Sequence, residues 1–348
     1  MQAEAESGLE RTMWCLKNRT AYAAERNWTR DRDGAHWWVV AVKATFDVLP
    51  TGKLKLADEQ MLPVLVPEYY GEPGASSLRY DSDLLAAKPG TDVLVNAHAH
   101  APGGKPAAAV PVALRVGGLD KRLLVHGERF YRRGVFGLNL SPPRPFSSRQ
   151  IRYEWAFGGQ DFSDPDSRKH RMDERNPIGR GLAVKSASLV DQPAHCLEYL
   201  QGDAAVMGPA GFGAIDRSWV PRRNLAGTYD ERWARTKRPL LPEDYDPAFA
   251  RSAPMDQCLH RYLVGGELIE LVHMTPEGVL RLRLPTIVLS FRSRFGARRR
   301  EHAGQMVTVI VEPEEHRLLV VWQTALRVAA QEVDYLDETE IVEREGAL

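Results

Sequence analysis

The alternation of apolar and polar residues between positions 36 and 48 constrains the fold more than any other feature of the sequence. Lys43, Thr45 and Asp47 would lie on one face of an extended chain, exposed to water or partly covered. The opposite face would be wholly apolar, with Trp38, Val40, Val42, Ala44, Phe46 and Val48. A period of two residues is typical of a β-strand with one buried face. Turn-forming residues at 50–52 and a second alternating segment at 53–56 predict a hairpin.

Similar segments recur along the chain. Residues 91–100 resemble a strand, and three further pairs of segments predict hairpins: 110–116 with 122–131, 267–272 with 279–284, and 306–311 with 318–322. Helical patterns are few: residues 255–263 are compatible with a helix, and residues 322–333 fit either a strand or a helical face.

These patterns predict a mainly β fold. We expect an antiparallel β-sandwich or two packed sheets, with a loop-rich insertion and few short helices. Strands and helices do not alternate in β-α-β order, which argues against a Rossmann-type or barrel enzyme.

Composition along the chain predicts five regions. Residues 1–12 would form a disordered tail, residues 13–157 an N-terminal β region, and residues 158–253 a loop-rich segment packed on the sheets. Residues 254–333 would complete the same β fold, and residues 334–348 would form a solvated acidic tail.

The stretch from 150 to 181 combines alternation with turn chemistry. Ile151, Tyr153, Trp155 and Phe157 would share one side of a strand that ends at Gly158-Gly159, where backbone with positive φ is allowed. Asn176-Pro177 and the glycines at 179 and 181 then predict fixed turns. This arrangement favours an architectural junction over a catalytic loop.

Charge and cysteine content restrict the partners of the chain. Lys plus Arg and Asp plus Glu both number 46, so net charge gives no reason to expect binding to nucleic acid or to a membrane surface. Three dispersed cysteines fit a reducing compartment. The N-terminus lacks the apolar segment of a secretory signal, and no apolar run reaches the ~18 residues of a membrane span. We therefore expect a cytoplasmic protein without membrane insertion.

Two histidine-containing groups are candidates for chemistry. His98 and His100 stand two apart on a predicted strand and would point the same way, as a metal-binding pair does. No other histidine has a matching ligand spacing, so no metal site is predicted. His195-Cys196 would be a thiol beside a base, but adjacent residues rarely face one another, which favours an ordinary loop pair.

Several other groups are better explained without a ligand. The glycine-rich segments match no nucleotide-binding motif, and no cofactor is expected. Asp81 and Asp83 suggest carboxylate caps of turns rather than a calcium site. The basic run at 292–300 is interpreted as a solvated loop between strands, with docking of an acidic partner as an alternative.

Three motifs connect the chain to a family. They are Glu-Trp-Ala-Phe-Gly-Gly-x-Asp at 154–161, Asn-Pro-x-Gly-x-Gly at 176–181 and Gly-Thr-Tyr-Asp at 227–230. Their order and spacing resemble a bacterial domain family of unknown function that is found beside type VI secretion effector genes. The resemblance extends from about residue 14 to about residue 323.

The resemblance implies a non-enzymatic adaptor, or loading chaperone, that binds a secreted effector and helps mount it on the VgrG/PAAR spike. Its partners would be proteins: the effector, the PAAR protein or VgrG. The motif residues would shape or contact the partner-binding surface; they are Phe157, Gly158, Gly159, Asn176, Pro177, Gly179, Gly227, Thr228, Tyr229 and Asp230.

Two other classes of function remain open at this point. A metal-dependent hydrolase would use the region of His98 and His100. A carbohydrate-binding β-sandwich module would use exposed tryptophans, such as Trp219 or Trp233, as platforms for sugar rings.

Overall fold

A computed structural model describes residues 13–135 and 137–344, and the tail predicted at 1–12 lies outside the described residues. The strands of the first half are β1 (Cys15–Asn18), β2 (Ala23–Arg30), β3 (His36–Val48), β4 (Leu54–Leu56), β5 (Glu68–Tyr69), β6 (Leu78–Tyr80), β7 (Thr91–Val95), β8 (His98–His100), β9 (Ala109–Val116), β10 (Leu119–His126), β11 (Tyr131–Gly134), β12 (Gly137–Leu140) and β13 (Ser148–Gln150). Those of the second half are β14 (Phe157–Gly158), β15 (Gln160–Asp161), β16 (Arg171–Met172), β17 (Arg180–Gly181), β18 (Leu197–Tyr199), β19 (Cys258–Leu259), β20 (Leu268–Val272), β21 (Val279–Arg283), β22 (Val288–Phe295), β23 (Arg298–Ala303), β24 (Gln305–Glu312), β25 (Arg317–Val328) and β26 (Leu336–Arg344).

Helical structure is short throughout the described residues. Two α-helices occur, α1 (Ala204–Met207) and α2 (Glu231–Thr236). The 3₁₀ turns are Pro102–Gly104, Tyr153–Trp155, Ser167–Lys169, Ser186–Leu189, Arg222–Ala226, Pro247–Ala250, Met255–Gln257, Pro313–Glu315 and Ala330–Tyr335. None of these helices has the length and apolar character needed to cross a membrane.

Strand β3 lies within a seven-stranded sheet of order β19-β7-β24-β25-β3-β2, in which β4 also pairs with β3. All pairings are antiparallel except β24 with β7. The predicted hairpins β3–β4 and β24–β25 are present, and β25 extends its pairing with β3 to Val328. The alternative of a helix at 322–333 is therefore wrong for residues up to Val328, and a 3₁₀ turn follows.

Two further sheets pack with the first. One has five antiparallel strands in the order β18-β10-β9-β20-β21 and contains both other predicted hairpins. The second has four strands in the order β1-β26-β22-β23, with β1 parallel to β26. Together with the short helices, these packed sheets confirm the prediction of a mainly β fold.

One apolar core is shared by all three sheets. It contains Val40 from β3, Leu114 from β9, Leu271 from β20 and Phe291 from β22, all of which are fully buried. The other face of the seven-stranded sheet is also covered, because Val39 and its neighbours form a second cluster. Both faces of β3 are thus buried, and the prediction of a water-exposed face is wrong.

Two charged segments differ from their predictions. The residues expected to form a solvated tail include β26, the strand between β1 and β22, where Leu336 and Ile341 are fully buried. The basic run expected to be a loop forms the β22–β23 hairpin. Arg294 of β22 pairs with Asp337 at 3.2 Å and with Glu338 at 3.3 Å, so ion pairs join the acidic and basic segments.

Two predicted local structures are also wrong. Residues 151–157 alternate as a strand would, but Tyr153–Trp155 forms a 3₁₀ turn, with only short strands on either side. The reason is that Ser77 Oγ accepts a hydrogen bond from the Tyr153 N–H at 3.1 Å, whereas a strand would direct that group to a neighbouring strand. Residues 255–263 contain one 3₁₀ turn and β19 rather than a helix.

A half-buried histidine joins β23 to its neighbours. The Nδ1 atom of His302 lies 2.6 Å from Thr324 Oγ1, and its Nε2 atom lies 3.0 Å from Ser293 Oγ. The ring also stacks on Phe291 at 5.8 Å between centroids. Burial lowers the pKa of His302 to about 4, so the imidazole is neutral near pH 7.

His302 should make stability depend on pH between about 4 and about 6.5. In this window the unfolded chain binds a proton at this position and the folded chain does not, so the free energy of unfolding should fall as the pH is lowered. His302→Gln should flatten the dependence measured by urea unfolding. His260→Gln, at an exposed position, is the control and should leave the slope unchanged. Equal slopes for wild type and His302→Gln would contradict the assignment.

Candidate functional site

The first two motifs form one substructure, which we call the motif junction and define as residues 156–159 and 176–182. Strands β14 and β17 pair in parallel, with Phe157 opposite Arg180 and Gly158 opposite Gly181. The turn beginning at Asn176 contains Pro177, and the Gly179 N–H closes it by donating to the Asn176 carbonyl at 3.2 Å. Two segments 20 residues apart in sequence are therefore neighbours in space.

Asn176 holds the two halves of the junction together. Its side-chain amide donates to the carbonyl of Tyr153 at 2.9 Å and to that of Phe157 at 3.0 Å. Its own carbonyl accepts from the Gly159 N–H at 2.8 Å. Asn176 is fully buried, so these bonds satisfy backbone groups that no water reaches.

The glycines of the junction are required by close backbone approach. Gly158 has φ of +144°, and a Cβ there would lie 2.9 Å from the Cβ of Asn176. A Cβ on Gly179 would lie 2.8 Å from the carbonyl oxygen of Ala156. A side chain at either position would separate the two segments.

A buried polar cluster lies directly beneath the junction. Tyr131 Oη lies 3.0 Å from His195 Nδ1, and His195 Nε2 lies 2.9 Å from a Glu198 carboxylate oxygen. Phe157 of the junction packs edge-on against the His195 ring at 5.5 Å between centroids. Arg129 pairs with the same carboxylate. Burial raises the pKa of Glu198, but hydrogen bonds from His126, His195 and Arg129 lower it more, so the carboxylate stays ionised.

This cluster does not form a thiol–base pair. The Cys196 side chain is buried and its Sγ faces the carbonyls of Gly127 and Ala194, each at 3.4 Å. His195 instead faces Tyr131 and Glu198. The arrangement agrees with the interpretation of His195-Cys196 as a structural pair.

The third motif lies in a separate turn. A Cβ on Gly227 would lie 2.8 Å from the Cβ of Pro242, and Thr228 donates from its N–H and hydroxyl to the Asp244 carboxylate at 2.9 and 2.7 Å. Asp230 caps α2 by accepting from the Trp233 N–H at 2.8 Å. Tyr229 is exposed and contacts the Trp233 ring edge-on at 4.7 Å.

Glu174 connects this turn region to the junction. Its carbonyl accepts from the Val220 N–H at 2.9 Å, and its carboxylate pairs with Arg223 at 2.9 Å. Arg223 belongs to the 3₁₀ turn that leads into Gly227. Most of the predicted site residues are thus buried or half-buried, whereas Thr228, Tyr229 and Asp230 are exposed.

The sequence did not predict the buried ion pairs of Asp81 and Asp83. Asp81 does accept a hydrogen bond from the Ser82 N–H at 2.8 Å, as a turn cap would, but it also pairs with Arg222 and with Arg217. Asp83 pairs with Lys43 at 3.2 Å across the covered face of β3. One sign of such a pair was present in the sequence. Lys43 stands among apolar residues of β3, and a charged side chain is rarely buried there without a partner.

Asp92 makes a similar connection. It pairs with Lys88 at 3.2 Å and accepts a hydrogen bond from the Ser252 N–H at 2.8 Å.

The carboxylate of Asp81 is charged in the folded chain. Burial raises the pKa of Asp81, but Arg222 and Arg217 lower it more.

The two histidines of β8 face a carboxylate. His98 Nδ1 and His100 Nε2 lie 3.0 and 3.1 Å from the same oxygen of Glu314. Within residues 13–135 and 137–344, no group of three or more histidine, cysteine, aspartate or glutamate side chains is arranged to hold a metal ion. Burial raises the pKa of Glu314, but hydrogen bonds from both histidines lower it by more, so the net shift is a decrease.

The tryptophans proposed as sugar platforms differ in exposure. Trp219 is only 3% exposed and packs edge-on against Tyr153 at 5.5 Å, so it cannot present its face to a ligand. Trp233 is half-buried, and its indole N–H donates to the Leu240 carbonyl at 2.8 Å.

An open groove of about 600 Å³ lies between the β3–β4 turn and β21. Lys53, Leu54, Arg281 and Arg283 are among its lining residues, and it shares none with the motif junction. A Cβ on Gly52 would collide with the Arg281 carbonyl, so the turn sits against the outer edge of β21.

These features define a class: a β-rich protein in which buried ion pairs and a glycine-rich junction hold a long irregular segment against packed sheets. The sequence profile of a bacterial family matches residues 33–323, a range that includes all three motifs. The chain belongs to this family, described as an uncharacterized protein conserved in bacteria (DUF2169). No curated protein and no solved structure matches the chain.

Adding a side chain at Gly158 should destabilise the junction. Gly158→Ala would force an alanine into a positive-φ conformation and against Asn176, lowering the free energy of unfolding by about 2–4 kcal/mol. Urea unfolding measures this change. Gly71→Ala is the control, because a Cβ there would make an ordinary 3.4 Å contact with Ser76. Equal effects of the two substitutions would show that the junction is not tightly packed.

Removing Arg222 should leave a buried carboxylate without its main partner. Arg222→Met should lower the free energy of unfolding by about 3–5 kcal/mol. The double variant Arg222→Met with Asp81→Leu should recover part of the loss, because it removes the unpaired charge as well. Thermal unfolding of both variants at pH 7 tests this, and a double variant no more stable than the single one would refute the explanation.

Proposed function

We propose that the chain is a non-enzymatic, cytoplasmic adaptor that binds a type VI secretion effector and helps load it onto the VgrG/PAAR spike. The resemblance of the three motifs to an effector-associated family suggests this function. One structural observation supports a protein-binding role: segments that adjoin the motif junction carry exposed apolar side chains.

These side chains, which we call the adaptor surface, are Phe162, Met172, Leu200, Val206 and Met207, and each is at least 41% exposed. Val206 is 78% exposed and belongs to α1, which packs against β14 and β18. Met172 lies opposite Gln160 in the β15–β16 pair that adjoins the junction. Exposed apolar groups close to one another often mark protein interaction sites.

The junction would give this surface a fixed shape. Arg175 donates to the carbonyl of Ala205 in α1 at 3.1 Å and pairs with Asp173 at 2.7 Å. Asp173 in turn donates its N–H to the Gly159 carbonyl at 2.9 Å. The helix that carries Val206 is therefore bonded to the junction through two residues. A surface ordered before binding loses less conformational entropy when the partner docks.

Charged substitutions on the adaptor surface should release the partner. When the chain is co-expressed with the product of the adjacent gene, the two should co-elute in size-exclusion chromatography. Val206→Asp with Met207→Asp should reduce co-elution at least about tenfold, because two charges would be buried in an apolar interface.

Val264→Asp with Met255→Asp is the matched control, since Val264 and Met255 are 74% and 78% exposed elsewhere on the chain. Equal loss with both pairs would point to a general effect on solubility and reject this surface. Separate elution of the wild-type proteins, with the neighbour soluble alone, would contradict the adaptor function for this partner.

A further inference from the structure

Three half-buried arginines near the motif junction have no acidic partner. Arg149, Arg152 and Arg180 form neither an ion pair nor a side-chain hydrogen bond. Every other arginine among the described residues that is not exposed has at least one such bond; Arg129 with Glu198 and Arg251 with the Leu259 carbonyl are examples. The Nε atom of Arg149 is buried without a hydrogen-bond partner.

The three arginines lie over aromatic rings of one small region. The guanidinium carbons of Arg180 and Arg149 are 4.1 and 5.2 Å from the centroid of the Trp155 ring. That of Arg152 is 3.6 Å from the centroid of the Tyr70 ring. Trp155 donates its backbone N–H to the Arg152 carbonyl at 3.0 Å, so both groups belong to the same turn.

The backbone of the junction places these groups. Arg180 lies opposite Phe157 in the β14–β17 pair, and its N–H donates to the Ala156 carbonyl at 3.0 Å. Arg149 is fixed in β13, opposite Ala99 of β8. Both guanidinium groups therefore reach the Trp155 ring from ordered strands rather than from mobile loops.

The two carboxylates that act electrostatically on Arg180, those of Glu128 and Glu154, already have other partners. Glu154 accepts hydrogen bonds from the N–H and the hydroxyl of Ser77, and Glu128 pairs with Arg144 at 2.8 Å. Two guanidinium groups on one ring repel each other where no anion lies between them. Burial, with a contribution from Arg149, lowers the pKa of Arg180. An external anion would relieve both the repulsion and the loss of hydration.

We propose that Arg149, Arg180 and Trp155 bind a carboxylate side chain on an acidic segment of a protein partner. This inference deepens the proposed adaptor function and rests on it for the identity of the partner. The planar guanidinium groups can each donate two parallel hydrogen bonds to a carboxylate. Stacking on the indole ring fixes their orientation, so fewer rotamers are lost when the anion binds.

A carboxylate fits these groups better than a nucleic acid does. Binding to a nucleic acid needs a row of unpaired cations that follows many phosphates. The net charge of this chain is zero, and the basic hairpin β22–β23 is neutralised by Glu332 and other acidic residues. Among the described residues, the half-buried arginines without an ion pair or a side-chain hydrogen bond are confined to this one place, which suits one or two acidic side chains.

Fluorescence polarisation with a labelled hexaglutamate peptide tests the site. The wild type should bind the peptide saturably at low salt, and Arg149→Gln with Arg180→Gln should bind at least about tenfold more weakly. Arg133→Gln with Arg299→Gln is the control, because both arginines are exposed, lack an ion pair and give the same change of charge. This control should stay within about twofold of the wild type.

Arg180→Lys provides a variant that keeps the charge and disturbs the fold least. It should still weaken peptide binding, because an ammonium group lacks the planar pair of donors. Binding as tight as that of the wild type would overturn the role given to the guanidinium geometry. Equal weakening in the Arg133/Arg299 control, or no saturable binding at all, would overturn the site. Tighter binding of a labelled oligonucleotide at the same arginines would assign the site to nucleic acid instead.

Co-expression separates this inference from the adaptor function. If the adjacent gene product co-elutes equally with the wild type and with the Arg149/Arg180 variant, the proposal that these arginines bind the partner is wrong. The proposed adaptor function would then still stand. If the peptide results are as expected but no gene product co-elutes with the wild type, the carboxylate site stands and the adaptor function fails.

Discussion

Buried carboxylates that accept hydrogen bonds from distant parts of the chain hold the long irregular segment of this protein in place. Asp81 binds Arg222 and Arg217 from the loop-rich segment, and Asp92 accepts the Ser252 N–H at the end of that segment. Asp83 similarly fixes residues before β7 to Lys43 of β3. Loops have few regular backbone bonds of their own, so charged groups buried against them supply the missing partners. The same groups make the segment sensitive to the loss of any one partner.

The motif junction applies the same principle with neutral groups. The amide of Asn176 serves two carbonyls from another segment, and glycines at 158 and 179 let the backbones come close enough for those bonds. Exposed apolar side chains and arginines without acidic partners lie on segments that adjoin this junction. In the proposed adaptor, the motif segments would mainly support a surface, and the residues that touch the partner would lie around them.

The strands could be predicted from the sequence, because β3 carries alternating apolar residues, and the β24–β25 hairpin consists of two nearly continuous apolar runs separated by a polar turn. The hydrogen bonds of the Tyr153 backbone could not be predicted, because their partners, Ser77 and Asn176, are remote in sequence. The acidic residues predicted to form a tail had the composition of one, but Asp337 and Glu338 pair with Arg294 of β22, and Leu336 is fully buried. Of the candidate site, the motif segments could be recognised in advance; the ion pairs and the unpaired arginines depend on three-dimensional neighbours that local sequence does not specify.

The position of β26 has a consequence for synthesis. It is the last of the described strands, yet it lies between β1, the first, and β22. A ribosome would therefore release β1 more than 300 residues before the strand that it pairs with, as the match of Cys15 with Glu338 shows. β1 would have an unpaired edge throughout that interval, and β22 would have one from its own synthesis until that of β26; such edges associate readily with other chains. The four-stranded sheet can therefore be completed only after translation has passed residue 344, from strands that are far apart in the sequence.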